Sequence, residues 1–570
     1  MKGWPSKVKL QNRLPWICFG AIAGLHLLFL LQFFAPAIST PDANGYWAQG
    51  SLLFTRWRSW FKPECTFQYV GAHWLKTESG RYYSRYPPGL PVLVGLVYRL
   101  FGYKASVLVN PSLASLSLVG LYLLLRRMVG RWWGLAGVAA LAVNPVFNRQ
   151  ALWCFSHMAV TCFSIWGLVL LLRWVENGRL HEAFVTGLLF GCIPTIRYPE
   201  VLLGIGAGVF MLLHRRGRGW LHPLTAALGG ALPLIPLLIR NQMAFGAFYR
   251  TGYSLSGEQM AFGWSHFKGH LLPYIRELLE IGVGPFLPLG LIGMVVMFWE
   301  RRGRPMALLL ALLLLPLTSL YIAYYWVPSV RFLLPTFPCY IAAGLWAVKR
   351  LADEGRVPLK LSLIGLLLTL LMGWGWFQIY EFKGLKERKE ILVRITDELE
   401  RRTERGDVVI ANRLILQHLD FVRRWRLIDR EYILAVSRPF PVIRPPEGGR
   451  NDLVRAPRGR RLEEILKIYG DLDPHEQMVR MKEEILKWAG RRGIYYVGDE
   501  MGIEGMQWAI GGSFELIARL PIPGEGSPGL KSPPPRAPFR MGMGFPPPMG
   551  GPMRGRGNEM VIAEWKVNER

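Results

Sequence analysis

The chain has 570 residues, 51% of them hydrophobic, with 22 Trp and a net charge of +28 from 68 Lys and Arg against 40 Asp and Glu. So much apolar sequence marks a membrane protein rather than a large soluble enzyme, and the length admits more than one domain. Nucleic-acid binding does not account for the charge: residues 1–380 hold 34 bases and only 12 acids, much of that excess in short loops between apolar stretches, where it orients the chain against anionic lipid.

In chain order, spans are predicted at 16–38, 105–125, 132–148, 154–172, 181–196, 200–213, 220–239, 281–299, 305–327, 330–348 and 357–380. The first is too long for a removable signal peptide and lacks a small-residue cleavage site, so it reads as a retained span. Basic clusters at Arg126/Arg127/Arg131, Arg173/Arg179, Arg215/Arg216/Arg218, Arg301/Arg302/Arg304 and Lys349/Arg350 follow every second span from 105 onward. The positive-inside rule makes those loops cytoplasmic and the connections 39–104, 149–153, 197–200, 240–280 and 328–330 external. The apolar run 90–101 is too short to cross, and 87–101 is read as a surface-lying or re-entrant helix. The expectation is a polytopic α-helical membrane protein of eleven crossings over 1–380, amino terminus inside and carboxyl end outside. Twelve crossings with the amino terminus outside fit the later loops equally, but would put Asp42 on the opposite face from Arg197 and Arg331.

After residue 380 the pattern becomes that of a soluble domain. Strands are predicted at 407–412, 425–428, 494–497, 514–520 and 560–565, and helices at 414–422 and 475–489. Together they predict a small extracytoplasmic α/β domain over 381–520. Residues 521–557, rich in Pro, Gly and Met, read as a flexible excursion before a last strand in 558–570. The domain has no GxGxxG or P-loop, and the six cysteines have no CxxC spacing, so nucleotide, cofactor, zinc and disulfide chemistry are all unsupported.

The chemistry-bearing residues gather in the external connections. Asp42 and Tyr46 follow the first span, and Arg85-Tyr86-Pro87-Pro88-Gly89 opens the surface helix. Arg197-Tyr198-Pro199-Glu200 separates two spans, Asn241…Phe245-Gly246…Thr251-Gly252-Tyr253 occupies the long mid-chain loop, and Tyr324-Tyr325-Trp326-Val327-Pro328-Ser329-Val330-Arg331 enters another span. A carboxylate is costly so near an apolar core unless it works or meets water. Asp42 is therefore the candidate general base for an acceptor hydroxyl attacking an anomeric carbon. Arg85, Arg197 and Arg331 are candidates to hold a lipid phosphate, because a guanidinium stays charged and donates bidentately. A phosphate leaves as a stable anion, so no general acid is required. Tyr46, Tyr86, Tyr253 and Glu200 are candidates to shape the pocket. Blander readings compete: arginines anchoring headgroups, tyrosines forming an interfacial belt, Asp42 capping a helix and Glu200 pairing locally with Arg197. Ser156-His157 is a candidate to line an acceptor cleft, with a packed histidine as the competing reading.

At Asp42/Tyr46, Arg85 to Pro91, Arg197 to Glu200, Asn241 to Tyr253, and Arg331-Phe332-Leu333-Leu334-Pro335 with Pro338, the chain resembles the GT-C superfamily of integral-membrane glycosyltransferases. Family 39-like members, relatives of protein mannosyltransferase and aminoarabinose transferase, are the most similar. The resemblance covers about residues 10–350. It implies an inverting hexosyl- or pentosyltransferase in the cell membrane, using a polyprenyl-phosphate sugar donor on the extracytoplasmic face and a protein, lipid or glycan acceptor. It places the catalytic aspartate at Asp42 and phosphate contacts at Arg85, Arg197 and Arg331. Many relatives carry Asp-Glu at the first site, whereas Ala43 follows Asp42 here, which counts against a paired-carboxylate or metal scheme. Rival readings are a transporter or flippase of a lipid-linked sugar, which should show an inverted repeat and mid-membrane charges, a lipid-diphosphate-glycan ligase, and a non-catalytic assembly protein.

Overall fold

The structure, a computed structural model, describes residues 7–215, 219–256, 258, 261–353, 357–437, 457–521 and 559–566. Apart from Pro521, the segment 521–557 lies outside the described residues. Six helices are long and apolar enough to cross a membrane: Arg13–Phe33, Val109–Met128, Ser156–Asn177, Leu221–Phe245, Arg304–Ile322 and Val330–Asp353. Trp264–Gly282 and Phe286–Trp299 meet at 104° and supply a seventh when counted as one broken span. Leu180–Ile196 and Val201–Leu213 are apolar but shorter.

Several expected boundaries are corrected. The first helix ends at Phe33 rather than 38, and a new one starts at Pro41. The stretch 132–148 is broken. Helix Arg131–Ala142 stops, and Asn144 caps a second helix, Pro145–Leu152, by accepting the Phe147 N–H at 2.9 Å, with proline in the first turn where its missing N–H costs nothing. The connection 240–280 is largely helical, holding the end of Leu221–Phe245 and the helix Trp264–Glu277. The domain boundary at 380 falls inside a continuous helix, Val357–Arg402. Residues 376–402 contain no proline and are rich in Glu, Lys, Leu and Arg, so nothing stops the helix where the hydropathy falls.

Two helices outside those spans carry the amino-terminal site. Thr40 caps Pro41–Arg56, its Oγ1 accepting the Ala43 N–H at 3.3 Å; Asp42 is therefore not the cap. The expected surface helix is Gly89–Ser106, kinked at Gly102 where φ is 83°. The two cross with their backbones in contact. A Cβ at Gly50 would lie 2.2 Å from the Pro91 carbonyl oxygen, and one at Gly95 would lie 2.3 Å from that of Gly50. This crossing is open only to glycine at both positions, and it sets the first turn of one helix beside the residues that open the other. The intervening loop forms a three-stranded antiparallel sheet in the order Trp60–Phe61, Tyr82–Ser84, Trp74–Lys76.

The carboxyl-terminal part is a five-stranded mixed sheet in the order Arg426–Asp429, Val408–Ala411, Ile494–Gly498, Glu559–Lys566, Ser513–Pro521. The first three strands are parallel and the last two antiparallel additions. The Val- and Ile-rich central strands are buried on both faces, as parallel strands require. The expected helix 414–422 is corrected to Arg413–Leu416. Asp420 Oδ1 accepts the N–H groups of Val422 and Arg423, each at 3.0 Å, and turns the chain. Helices at Arg430–Ser437, Pro457–Tyr469 and Glu500–Ile510 were not expected from periodicity. The loop before the surface helix docks on the sheet edge: Tyr69 N–H donates to the Leu427 carbonyl at 2.8 Å and Asp429 N–H to that of Phe67 at 3.0 Å.

Candidate active site

Asp42 sits in the first turn of Pro41–Arg56, half-buried with 30% of its side chain exposed. Its Oδ1 accepts the Tyr86 hydroxyl at 2.5 Å and faces His73 Nε2 at 2.8 Å. Oδ2 accepts no hydrogen bond among the described residues, so one oxygen is held and the other is open to a substrate hydroxyl. Burial acts to raise the Asp42 carboxyl. The His73 hydrogen bond, the Arg331 charge and the Tyr86 hydroxyl outweigh it and hold the group well below the usual carboxylate range, and a charge on His73 adds to this only when that ring is protonated. Burial, aided by the Arg85 charge, pushes His73 below its ordinary value. We take the neutral ring, donating from Nε2–H, as the form that orients Asp42 at neutral pH. Burial and the neighbouring Asp42 charge push the Tyr86 hydroxyl well up, so it stays protonated and remains a donor.

Three of the candidate pocket residues, Tyr46, Tyr86 and Tyr253, lie in one aromatic cluster beside this carboxylate. Tyr46, four residues along the same helix, packs on Tyr86 with ring centroids 4.3 Å apart and meets Ser156 Oγ through its hydroxyl at 2.9 Å. Ser156 in turn accepts from Arg197 Nη1 at 3.3 Å. Tyr253 lies edge-on to Tyr86 at 6.3 Å and to Tyr198 at 6.1 Å. Thr251 and Ser254 form a reciprocal capping box that seats Gly252 on the Arg85 backbone, where a Cβ would lie 2.3 Å from the Arg85 Cα. The mid-chain loop is thereby fixed against the Tyr-Pro-Pro segment. Arg331 lies over the rings of Phe155 and Phe332 and places its charge within reach of Asp42, Arg197, Tyr86 and Tyr46.

Arg85 and Arg197 each meet a carboxylate. Arg85 Nη1 donates to Glu258 Oε1 at 2.5 Å, its Nη2 reaches the Tyr86 hydroxyl at 3.5 Å, and the guanidinium lies over the Tyr86 and Tyr253 rings. Arg197 donates from Nε to Glu200 Oε1 at 2.5 Å and from Nη2 to the Tyr321 hydroxyl at 2.9 Å, and Tyr321 donates to the same Glu200 oxygen at 2.6 Å. The local pairing of Glu200 with Arg197 is therefore present, and the Glu200 side chain is fully buried. His73, Glu258 and Tyr321 were not singled out from the sequence. Ser156 meets the cluster, and His157 lies tilted against Phe332 with ring centroids 5.5 Å apart and neither ring nitrogen hydrogen-bonded.

The low position of Asp42 gives a pH test. A depressed carboxyl keeps its charge, and any stability that charge confers, above its ordinary value, and loses both only as pH falls through the depressed one. Activity is expected to hold without an acid limb down to about pH 4, the unperturbed carboxyl range. In His73→Ala the limb should rise by about one pH unit, whereas His73→Gln, which keeps a donor, should move it less. Profiles that superimpose in all three proteins would remove His73 from the site.

The family model for dolichyl-phosphate-mannose-protein mannosyltransferase matches residues 85–239, a stretch that includes Arg85, Tyr86, Arg197 and Glu200. The chain is similar along its length to the crystal structure of ArnT from Cupriavidus metallidurans bound to undecaprenyl phosphate. The TM-score is 0.57 at 13% identity, covering 97% of this chain and 98% of that one. The apo form of the same protein gives a TM-score of 0.53 at 13% identity, covering 96% and 97%. At that identity the likeness is one of fold. No curated protein matches the chain in sequence.

Proposed function

We propose that this chain, a multi-pass membrane protein of the GT-C superfamily, transfers a sugar from a polyprenyl-phosphate donor to an acceptor at the extracytoplasmic membrane surface. The observation that carries the reading is the Asp42 carboxylate, gripped on one oxygen by Tyr86 and His73 and open on the other, in a cluster with three arginines. Asp42 Oδ2 takes the proton from the acceptor hydroxyl as its oxygen forms the bond to the anomeric carbon. The bond from that carbon to the phosphate oxygen breaks, and the lipid phosphate departs with the electron pair, inverting the configuration. Guanidinium charge stabilises the departing phosphate, so no proton need be supplied to it. We assign Arg331 as the principal phosphate contact because its charge is the guanidinium charge that most lowers the Asp42 carboxyl. Arg85 and Arg197 add to the field while tied to Glu258 and Glu200. Tyr46, Tyr86 and Tyr253 form the wall against which the sugar lies.

The eleven crossings, an external carboxyl-terminal domain beginning beyond Arg402 and the inverting outcome belong to this proposal. The fold likeness to a protein crystallised with undecaprenyl phosphate supports a polyprenyl-phosphate donor. The acceptor is a protein, lipid or glycan hydroxyl, with membrane lipid around the site. Purified protein should transfer radiolabelled sugar from at least one member of a panel of polyprenyl-phosphate hexoses and pentoses. Substrate-dependent flux across proteoliposomes without transfer from any member would favour the flippase.

A further inference from the structure

A cavity of about 280 Å³ lies between the surface helix Gly89–Ser106, the far end of Val357–Arg402 and the turn at Asp420. It is built from different residues than the Asp42 cluster. Tyr98, Tyr103 and Trp425 supply aromatic walls, and Arg405, Arg423 and Arg424 line it. Of its carboxylates, Asp397 is tied to Lys104 at 2.9 Å, and Asp420 accepts the Tyr98 hydroxyl at 2.6 Å and two backbone N–H groups. Glu400 is the remaining acid of the lining. Arg405 and Arg423 form no ion pair among the described residues. The Arg423 guanidinium lies 4.5 Å from the Tyr98 ring centroid. Arg424 donates from Nη2 to the Glu400 and Thr403 carbonyls, at 2.8 and 2.7 Å, and leaves its buried Nε without an acceptor. Four bases and three acids line the cavity, an excess of one positive charge, and one buried donor is unanswered. Both features favour an anion.

Its depth identifies the source of the anion. Pro36 lines it three residues beyond Phe33, the end of a spanning helix, and Lys104 lines it five residues before Val109, the start of another. On the same surface helix Leu100 and Phe101 are 63% and 71% exposed, as suits side chains facing acyl chains. We propose that this cavity seats the phosphate-bearing headgroup of an anionic membrane lipid. Its guanidinium groups hold the phosphate, and its tyrosines and carboxyl oxygens meet the headgroup hydroxyls. The inference is independent of the role given to Asp42. The helix Pro41–Arg56 lies behind the cavity, its Trp47 packed on Tyr98 and Tyr103 at 5.5 and 5.0 Å, so an occupied cavity would brace the element that carries the catalytic residue.

The test uses full-length protein in phosphatidylcholine nanodiscs, titrated with fluorescent phosphatidylglycerol. Saturable binding is expected, weakened roughly tenfold or more in Arg405→Gln/Arg423→Gln, since each basic group near an anionic surface is worth about a fivefold change. Val393→Trp, which fills the cavity without altering charge, should weaken it comparably, with melting temperature as the control for folding. Glycerol 1-phosphate at millimolar concentration should not displace the lipid. Wild-type affinity in both variants would overturn the site, and displacement by glycerol phosphate would overturn the lipid as its ligand in favour of a soluble phosphorylated molecule.

Discussion

Asp42→Asn is expected to lower kcat for sugar transfer by about two to four orders of magnitude, the usual range for loss of a positioned general base. Asparagine keeps the shape and can still accept from Tyr86 and His73, whose contacts to Oδ1 are 2.5 and 2.8 Å. Thr40, not Asp42, caps the helix, so no cap is lost and the melting temperature should stay within a degree or two. Donor affinity should change little or improve, because a negative charge beside the phosphate has been removed. The check is single-turnover transfer together with equilibrium binding of the polyprenyl-phosphate donor. A variant with full activity would show that Asp42 is not the base, and one that fails to fold should be compared with Asp42→Glu before the result is scored.

Arg197→Ala is expected to act mainly on stability. Glu200 is wholly buried and is held by Arg197 Nε and the Tyr321 hydroxyl. Removing one partner of a buried pair leaves an uncompensated charge, at a cost of about 3–5 kcal/mol, enough to lose most folded protein in detergent. Arg197→Met with Glu200→Gln should recover much of the fold, because the buried charge disappears with its partner. Arg331→Lys behaves differently in this account: it keeps the charge, loses the planar fork and should raise the donor KM about tenfold or more, the worth of one charge-assisted hydrogen bond, at nearly unchanged melting temperature. Thermal unfolding followed by intrinsic fluorescence, with donor titrations, separates the two. Equal stability of Arg197→Ala and wild type would return Glu200 to the role of a substrate-facing acid.

The sequence exposed much of this site because acids are rare in its first 380 residues. That scarcity points to Asp42, and it applies with equal force to Glu258, which lies five residues beyond Tyr253 in the mid-chain loop. In the structure Glu258 answers Arg85. His73 left no trace in the pattern: it lies in an irregular loop, and only the short sheet after Trp60–Phe61 brings it under Asp42. Strands such as 408–411 were legible from their apolar runs, whereas the end of Val357–Arg402 was not, because a helix can run on past the point where hydropathy falls without changing its hydrogen bonds. The break at Asn144-Pro145 was written in plain cap chemistry, but hydropathy averaging conceals such signals.

The central claim is that the carboxylate and the arginines form one donor site. Its most direct measurement is a structure of the protein with a polyprenyl-phosphate sugar bound. Phosphate oxygens should lie within about 3 Å of the Arg331 guanidinium, as charge-assisted hydrogen bonds require, with the anomeric carbon facing Asp42 Oδ2 across room for one acceptor hydroxyl. A phosphate seated away from Arg331, or on the far side of the bilayer from Asp42, would contradict it.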